Sequence, residues 1–319
     1  MVGFSLTKEQ LLQQQLYREF AEKEVKPKAA DMDEAEEYDV SIMDKMAKYG
    51  LLGIPFSKED GGSGASVLSY ALCVEELAKV DASTATACSV HTSLCTTLIG
   101  TFGTPEQKEK YFRPLAGGKK YGCFGLTEPN AGSDAAGQQS TAVKEGDHYV
   151  LNGSKIFITN SGFSDIFVVF AMTDKSKGTK GITAFILEKG MPGFTVGKDI
   201  PRMGIRAASN CELAFDNVIV PEENRIGREG EGFKIAMATL DGGRIGVAAI
   251  AQNSNLQSFR QRLTQQDFLY GEQHALKTTM SLFQHTQLWL NLFAQMLPTK
   301  QQEHVYSYSA DMVTQESTL

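Results

Sequence analysis

Near residue 120 the chain abandons one hydrophobic period for another, and that change constrains its fold more than any other feature. Up to about Lys119 the apolar spacing is helical. Thr7-Lys-Glu-Gln10 reads as a capping box ahead of a stripe of Leu12, Leu16 and Phe20, and Thr104-Pro-Glu-Gln107 repeats the device with proline at the first helical position. Tyr49-Gly50-Leu51-Leu52-Gly53-Ile54-Pro55 reads as a helix stop, and Gly61-Gly-Ser-Gly64 as a second break before a helical stripe from Ser69 to Lys79. At Tyr121 the pattern becomes that of strands. Asn152-Gly153 lies between two β-rich runs, a strong hairpin signal, and Ile166–Met172, Gly181–Leu187 and Cys211–Val220 supply further strands. From Gly232 the chain turns helical again. The expected fold is α+β: an N-terminal all-α domain over 1–120, a central antiparallel β-domain over 121–228, and a partial C-terminal helical segment over 229–319.

Past about residue 251 the composition changes. Of the 30 glycines only Gly271 lies beyond Gly246, and glutamine, threonine and serine become frequent, although 281–296 keeps an apolar helical stripe. A net charge of -7 provides no basic stripe for nucleic acid. No stretch reaches the ~18 uninterrupted apolar residues of a membrane span, and no charged leader precedes an apolar run, so a cytoplasmic protein is expected. Five cysteines without a CxxC spacing indicate neither a disulfide framework nor a metal site, and Cys88 and Cys95 read as core residues. His91 reads as a satisfied core histidine. Glu75-Glu76 and the acidic run Asp31–Glu37 read as solvated helix faces, and Lys175–Lys180 as a solvated turn.

The stretch Phe124-Gly-Leu-Thr-Glu-Pro-Asn-Ala-Gly-Ser133-Asp134 carries the most chemistry. Gly125, Gly132 and Gly137 permit close approach of a ligand, Pro129 and the Asn130-Ala-Gly-Ser turn fix a bend, and Thr127 and Ser133 offer hydroxyls. Taken alone, this composition fits a structural turn as well as a ligand site. The order of segments decides between them. Leu126-Thr-Glu-Pro, Gly-Ser-Asp, Leu151-Asn-Gly-Ser-Lys-Ile-Phe-Ile-Thr159-Asn160 and Asp241-Gly-Gly-Arg244 occur in the sequence in which they stand in the acyl-CoA dehydrogenase flavoproteins. The chain resembles that family, in its short-chain, butyryl-CoA type, from about Leu6 to Ala249.

The resemblance implies FAD as cofactor, α,β-dehydrogenation of a short-chain acyl-CoA, electron-transfer flavoprotein as acceptor, and a homo-oligomer, tetrameric in the family. It implies a flavin site built from Phe124, Gly125, Leu126, Thr127, Gly132, Ser133, Phe157, Ile158 and Thr159. Phe157 stands where many members carry tryptophan. It implies an acyl-CoA site at Ser133, Asp241, Gly242, Gly243 and Arg244, with Arg244 available to the nucleotide part of CoA. Two adjacent glycines inside a helix cost about 1 kcal/mol each against alanine, which suggests a close neighbour there, either ligand or second helix. The family removes the α-proton with a glutamate in a Tyr-Glu-Gly-Thr-like sequence. No such sequence occurs here, so the catalytic base is unassigned, and Glu272, Glu303 and Glu316 are the first carboxylates to consider. An aberrant or truncated C-terminal part, leaving an inactive flavin- and acyl-CoA-binding fragment, is the alternative expectation.

Overall fold

The helix stop at Gly50 and the cap at Thr104 divide the first 120 residues where the sequence placed them. The computed structural model describes residues 6–266, with side chains as far as residue 251. Residues 8–254 form one compact unit; of the other unit, residues 1–7 and 255–319, only residues 6–7 and the helical backbone of 255–266 are described. The composition change past 251 therefore falls on side chains that are not described, and the stripe at 281–296, Gly271 and the three candidate glutamates lie outside the described residues altogether.

Helix α1 (Lys8–Phe20) passes through a π-turn into α2 (Lys26–Ala35). Helix α3 (Ser41–Lys48) stops where Gly50 takes the left-handed conformation, φ 69°. Helix α4 (Val67–Ala78) starts on the Ser66 hydroxyl, which accepts the Ser69 N–H, and α5 (Ala82–Ser89) starts on the Asp81 carboxylate. A π-segment, Val90–Thr96, leads into α6 (Thr97–Phe102). The capping box at Thr104 is present in full before α7 (Pro105–Gln107), and α8 (Arg113–Ala116) closes the helical part.

His91 is fully buried among these helices. Gly122 N–H donates to Nδ1 at 3.2 Å, so Nε2 carries the proton and donates to the Leu115 carbonyl at 3.1 Å. Burial lowers its pKa to about 4, so it stays a neutral strut, as its apolar stripe implied. Cys88 and Cys95 are buried in the same core. Glu76 departs from expectation. It is buried rather than solvated, because Arg18 from α1 reaches it with two N–H groups at 3.0 Å each.

The strands are β1 (Gly122–Gly125), β2 (Thr141–Glu145), β3 (His148–Thr159), β4 (Ile166–Met172), β5 (Ile182–Glu188), β6 (Phe194–Asp199), β7 (Asn210–Pro221) and β8 (Arg225–Ile226). They run in the order β6-β7-β3-β2-β4-β5-β8, with β1 beside β4. The pairings are antiparallel except β1 with β4 and a single bridge between β2 and β4. Strand β4 is apolar at every position because it is buried on both faces. Ile166, Val168 and Phe170 pack with Leu98, Leu115 and Ile235 of the helices, whereas Phe167, Val169 and Ala171 pack with Leu151, Leu213 and Phe215 of β3 and β7. Helix α9 (Gly232–Gln266) follows the sheet. No helix among the described residues is long and apolar enough to cross a membrane.

Asn152-Gly153 is not a hairpin turn. Both residues sit inside β3, where Gly153 takes φ 135° at a bulge against β7. A Cβ there would lie 2.4 Å from the Ser140 hydroxyl, so the glycine serves a close strand crossing, and the β2–β3 turn is made instead at Gly146, φ 64°.

Candidate functional site

A cleft of about 440 Å³ opens between the 124–136 loop, the end of β3, the Val90–Thr96 segment and α9. Each wall has a local cause. Phe233, Met237, Leu240 and Arg244 project from α9 at i, i+4, i+7 and i+11, which places them on one helical stripe. Val90 and Leu94 form a matching pair one turn apart. Opposite them, Leu126, Thr127, Gly132 and Ser133 come from the loop, and Phe157, Ile158 and Thr159 from β3.

Phe157 marks where the site departs from ordinary packing. It has φ 59°, which a bulky aromatic adopts only under constraint, at a cost of order 1–3 kcal/mol. The residue is also 56% exposed. The constraint comes from both sides. The neighbouring Ile156 N–H donates to the Thr127 carbonyl at 2.9 Å, and a bulge between Lys155 and Ile158 in the β3–β7 pairing turns the residue outward into the cleft.

The loop is held beneath by a buried ion pair. Lys155 is fully buried, and its Nζ donates to Glu128 Oε1 at 2.7 Å, to the Leu126 carbonyl at 3.1 Å and to Gln138 Oε1 at 3.1 Å. The Glu128 carboxylate in turn accepts the N–H groups of Gln139 at 2.5 Å and Ser140 at 3.1 Å. Burial lowers the Lys155 pKa to about 8 against the opposing pull of Glu128. Burial pushes the Glu128 carboxyl up, but the Lys155 ammonium and the Gln139 N–H outweigh it and hold it below the usual carboxylate range.

The residues singled out from sequence do not all meet here. Phe124, Leu126, Thr127, Gly132, Ser133, Phe157, Ile158, Thr159 and Arg244 line the cleft. Gly125 is buried in β1, and a Cβ on it would press Val169 at 3.0 Å, so it serves the β1–β4 contact. Gly132 faces open space, with nothing within 4 Å of a built Cβ. Asp241 is exposed and pairs with Arg244 at 3.2 Å. The two adjacent glycines divide the explanations between them. Gly243 packs under Leu94, where a Cβ would meet Cδ2 at 2.6 Å, while Gly242 is open.

Sequence reasoning passed over Glu128, Lys155 and Gln138, and also Asp134, Ala135, Ala136 and the apolar wall from Val90 and Leu94. The α9 stripe was legible as a period of apolar positions. Glu128 and Lys155 stand within quoted motifs, but nothing local announces that two charges so far apart along the chain will be buried together.

Residues 7–119 match the acyl-CoA dehydrogenase N-terminal domain and residues 123–218 the acyl-CoA dehydrogenase middle domain. The chain belongs to the acyl-CoA dehydrogenase family. Over 250 residues, 78% of the chain, it is 62% identical to a short-chain specific acyl-CoA dehydrogenase of Clostridium acetobutylicum. A short-chain specific enzyme of Megasphaera elsdenii is 55% identical over 254 residues, again 78% of the chain. The chain spans 66% of the length of each, just under two thirds. Among solved structures, butyryl-CoA dehydrogenase from Megasphaera elsdenii superposes with a TM-score of 0.81 at 45% identity, covering 98% of this chain and 81% of that one. A chain in the structure described as the electron transferring flavoprotein of Acidaminococcus fermentans superposes at 0.84 with 48% identity, covering 93% and 80%.

Proposed function

We propose that the protein uses FAD to dehydrogenate a short-chain acyl-CoA, butyryl-CoA-like, to the trans-2-enoyl-CoA. The electrons pass to an electron-transfer flavoprotein, and the enzyme is a cytoplasmic homotetramer. The observation that carries this reading is the cleft itself, where a strained, half-exposed Phe157 and the Thr127, Ser133 and Thr159 hydroxyls converge beside open space at Gly132. Its volume falls within the range of about 300–1,000 Å³ common to small-molecule sites.

The residues suit a flat ring system with one polar edge. The Phe157 ring covers an aromatic face, and Leu126, Leu240 and Met237 exclude water from it. Thr127 and Thr159 hydroxyls orient the polar edge. When bound, the flavin supplies a hydride acceptor for the substrate β-carbon. Ser133 stands where flavin and thioester meet, and Arg244 offers its guanidinium to anionic oxygens of CoA. The chain divides functionally into a helical domain at 1–120, a site-bearing β-domain at 121–228 and a helical C-terminal segment.

A second reading is an inactive flavin- and acyl-CoA-binding fragment. It is favoured by one observation: among the described lining residues the only carboxylate is Asp134, which sits on the loop. Adding butyryl-CoA anaerobically to the FAD-loaded protein separates the two. Bleaching of the visible flavin band is expected of the enzyme. Butyryl-CoA binding without bleaching supports the fragment, and failure to bind FAD refutes both. On either reading Arg244→Ala should weaken butyryl-CoA binding by about tenfold or more with flavin content unchanged, measured by calorimetry.

A further inference from the structure

The loop that carries Thr127 and Ser133 is tied at its two ends by a single side chain. A lysine ammonium has three donors, and Lys155 spends all three on this loop. Leu126 and Glu128 lie on the incoming limb and Gln138 on the outgoing one. Glu128 then fastens the outgoing limb a second time through the N–H groups of Gln139 and Ser140. The next strand residue, Ile156, takes the Thr127 carbonyl. Two consecutive residues of β3 thus grip three consecutive loop residues. Inside the loop, the backbone bonds of residues 129–137 are local, Ala131 with Glu128 and Gly137 with Asp134.

A closure that served stability alone would be made better with apolar groups. Replacing a buried ion pair by well-packed hydrophobic residues is often neutral or stabilising, because both charges escape the desolvation cost. What a fully satisfied polar network adds is one fixed arrangement. Here that arrangement leads directly into the strained Phe157, two residues beyond Lys155.

We propose that Lys155, acting through Glu128 and Gln138, is a positioning residue: it closes the neck of the 126–140 loop and so sets Thr127, Ser133 and Phe157 against the flavin. The flavin part rests on the function proposed above; the closure of the loop does not.

The test uses the full chain, FAD as probe, and the variants Lys155→Met, Glu128→Gln and the two combined. Lys155→Met should weaken FAD binding by about tenfold or more. It should also alter the visible circular dichroism of the flavin that remains bound, a signal that a loss of stability elsewhere does not move. The double variant should bind FAD no more weakly than Lys155→Met alone, because the two residues act as one unit. Without FAD, amide exchange in residues 129–140 should accelerate at least about tenfold in Lys155→Met while β4 and β5 stay protected. Should Lys155→Met not fold, Glu128→Gln carries the FAD-affinity, dichroism and exchange readouts by itself. Wild-type FAD affinity and dichroism in the single variants would overturn the proposal, as would exchange that accelerates uniformly along the chain. Wild-type protein that binds no FAD would refute the flavin reading, and the exchange experiment would then decide the loop closure by itself.

Discussion

Among the described residues two glutamates are buried, Glu76 and Glu128, and they are buried on different terms. Glu76 in the helical part is 1% exposed, but its partners keep one side in water: Arg18 is 57% exposed and Lys79 34%. At the cleft, Glu128 is 6% exposed and its partner Lys155 not at all. The first is a staple from α1 to α4 whose cations remain solvated if the carboxylate is lost. In the second, either charge alone is stranded. A buried charge pair is therefore dispensable or obligatory according to where its cation ends.

The largest expected effect follows from that difference. Glu128→Ala leaves the Lys155 ammonium buried and uncompensated and should cost about 3–5 kcal/mol in urea unfolding. Glu76→Ala leaves two partly hydrated cations and should cost about 1 kcal/mol. Equal penalties would erase the comparison.

A smaller effect sharpens it through pH. Stability rises with pH wherever the unfolded chain binds more protons than the folded one. In wild type the folded Lys155 holds its proton up to about pH 8, while an ordinary lysine holds it to about 10.5. Without Glu128, burial alone acts on Lys155 and it releases its proton at still lower pH. The variant therefore gains stability with rising pH below about 8 where wild type does not, and above that both gain alike. The Glu128→Ala penalty should shrink between about pH 6 and pH 8 and then level off. Arg18 and Lys79 are shifted upward by Glu76, so the Glu76→Ala penalty should stay flat over the same window. Denaturant midpoints at several pH values check both slopes.

Much of the fold was legible because its signals are local. The capping box at Thr104, the helix stop at Gly50 and the doubly buried run of β4 each follow from a few adjacent residues, and each stands where it was expected. Asn152-Gly153 misled because the same dipeptide serves a tight turn and a bulge. Which one forms depends on Ser140 and β7, both distant in sequence. The antiparallel β6, with its exposed alternate residues, gave too weak an apolar run to be noticed. In the cleft, the loop and strand motifs meet on one surface, but the ion pair beneath it was invisible, because burial of a charge is set by what folds over it.

The central claim is that the cleft faced by Phe157 and Thr127 holds the flavin ring. Fluorescence titration of the purified protein with FAD, repeated on Thr127→Ala and Phe157→Ala, tests it most directly. One variant removes a hydrogen bond worth about 1–3 kcal/mol in a dry site and the other removes the apolar cover of the ring. The account predicts tight binding by wild type and a rise in Kd of about tenfold or more in each variant with the fold intact. FAD affinity unchanged in both variants would contradict it.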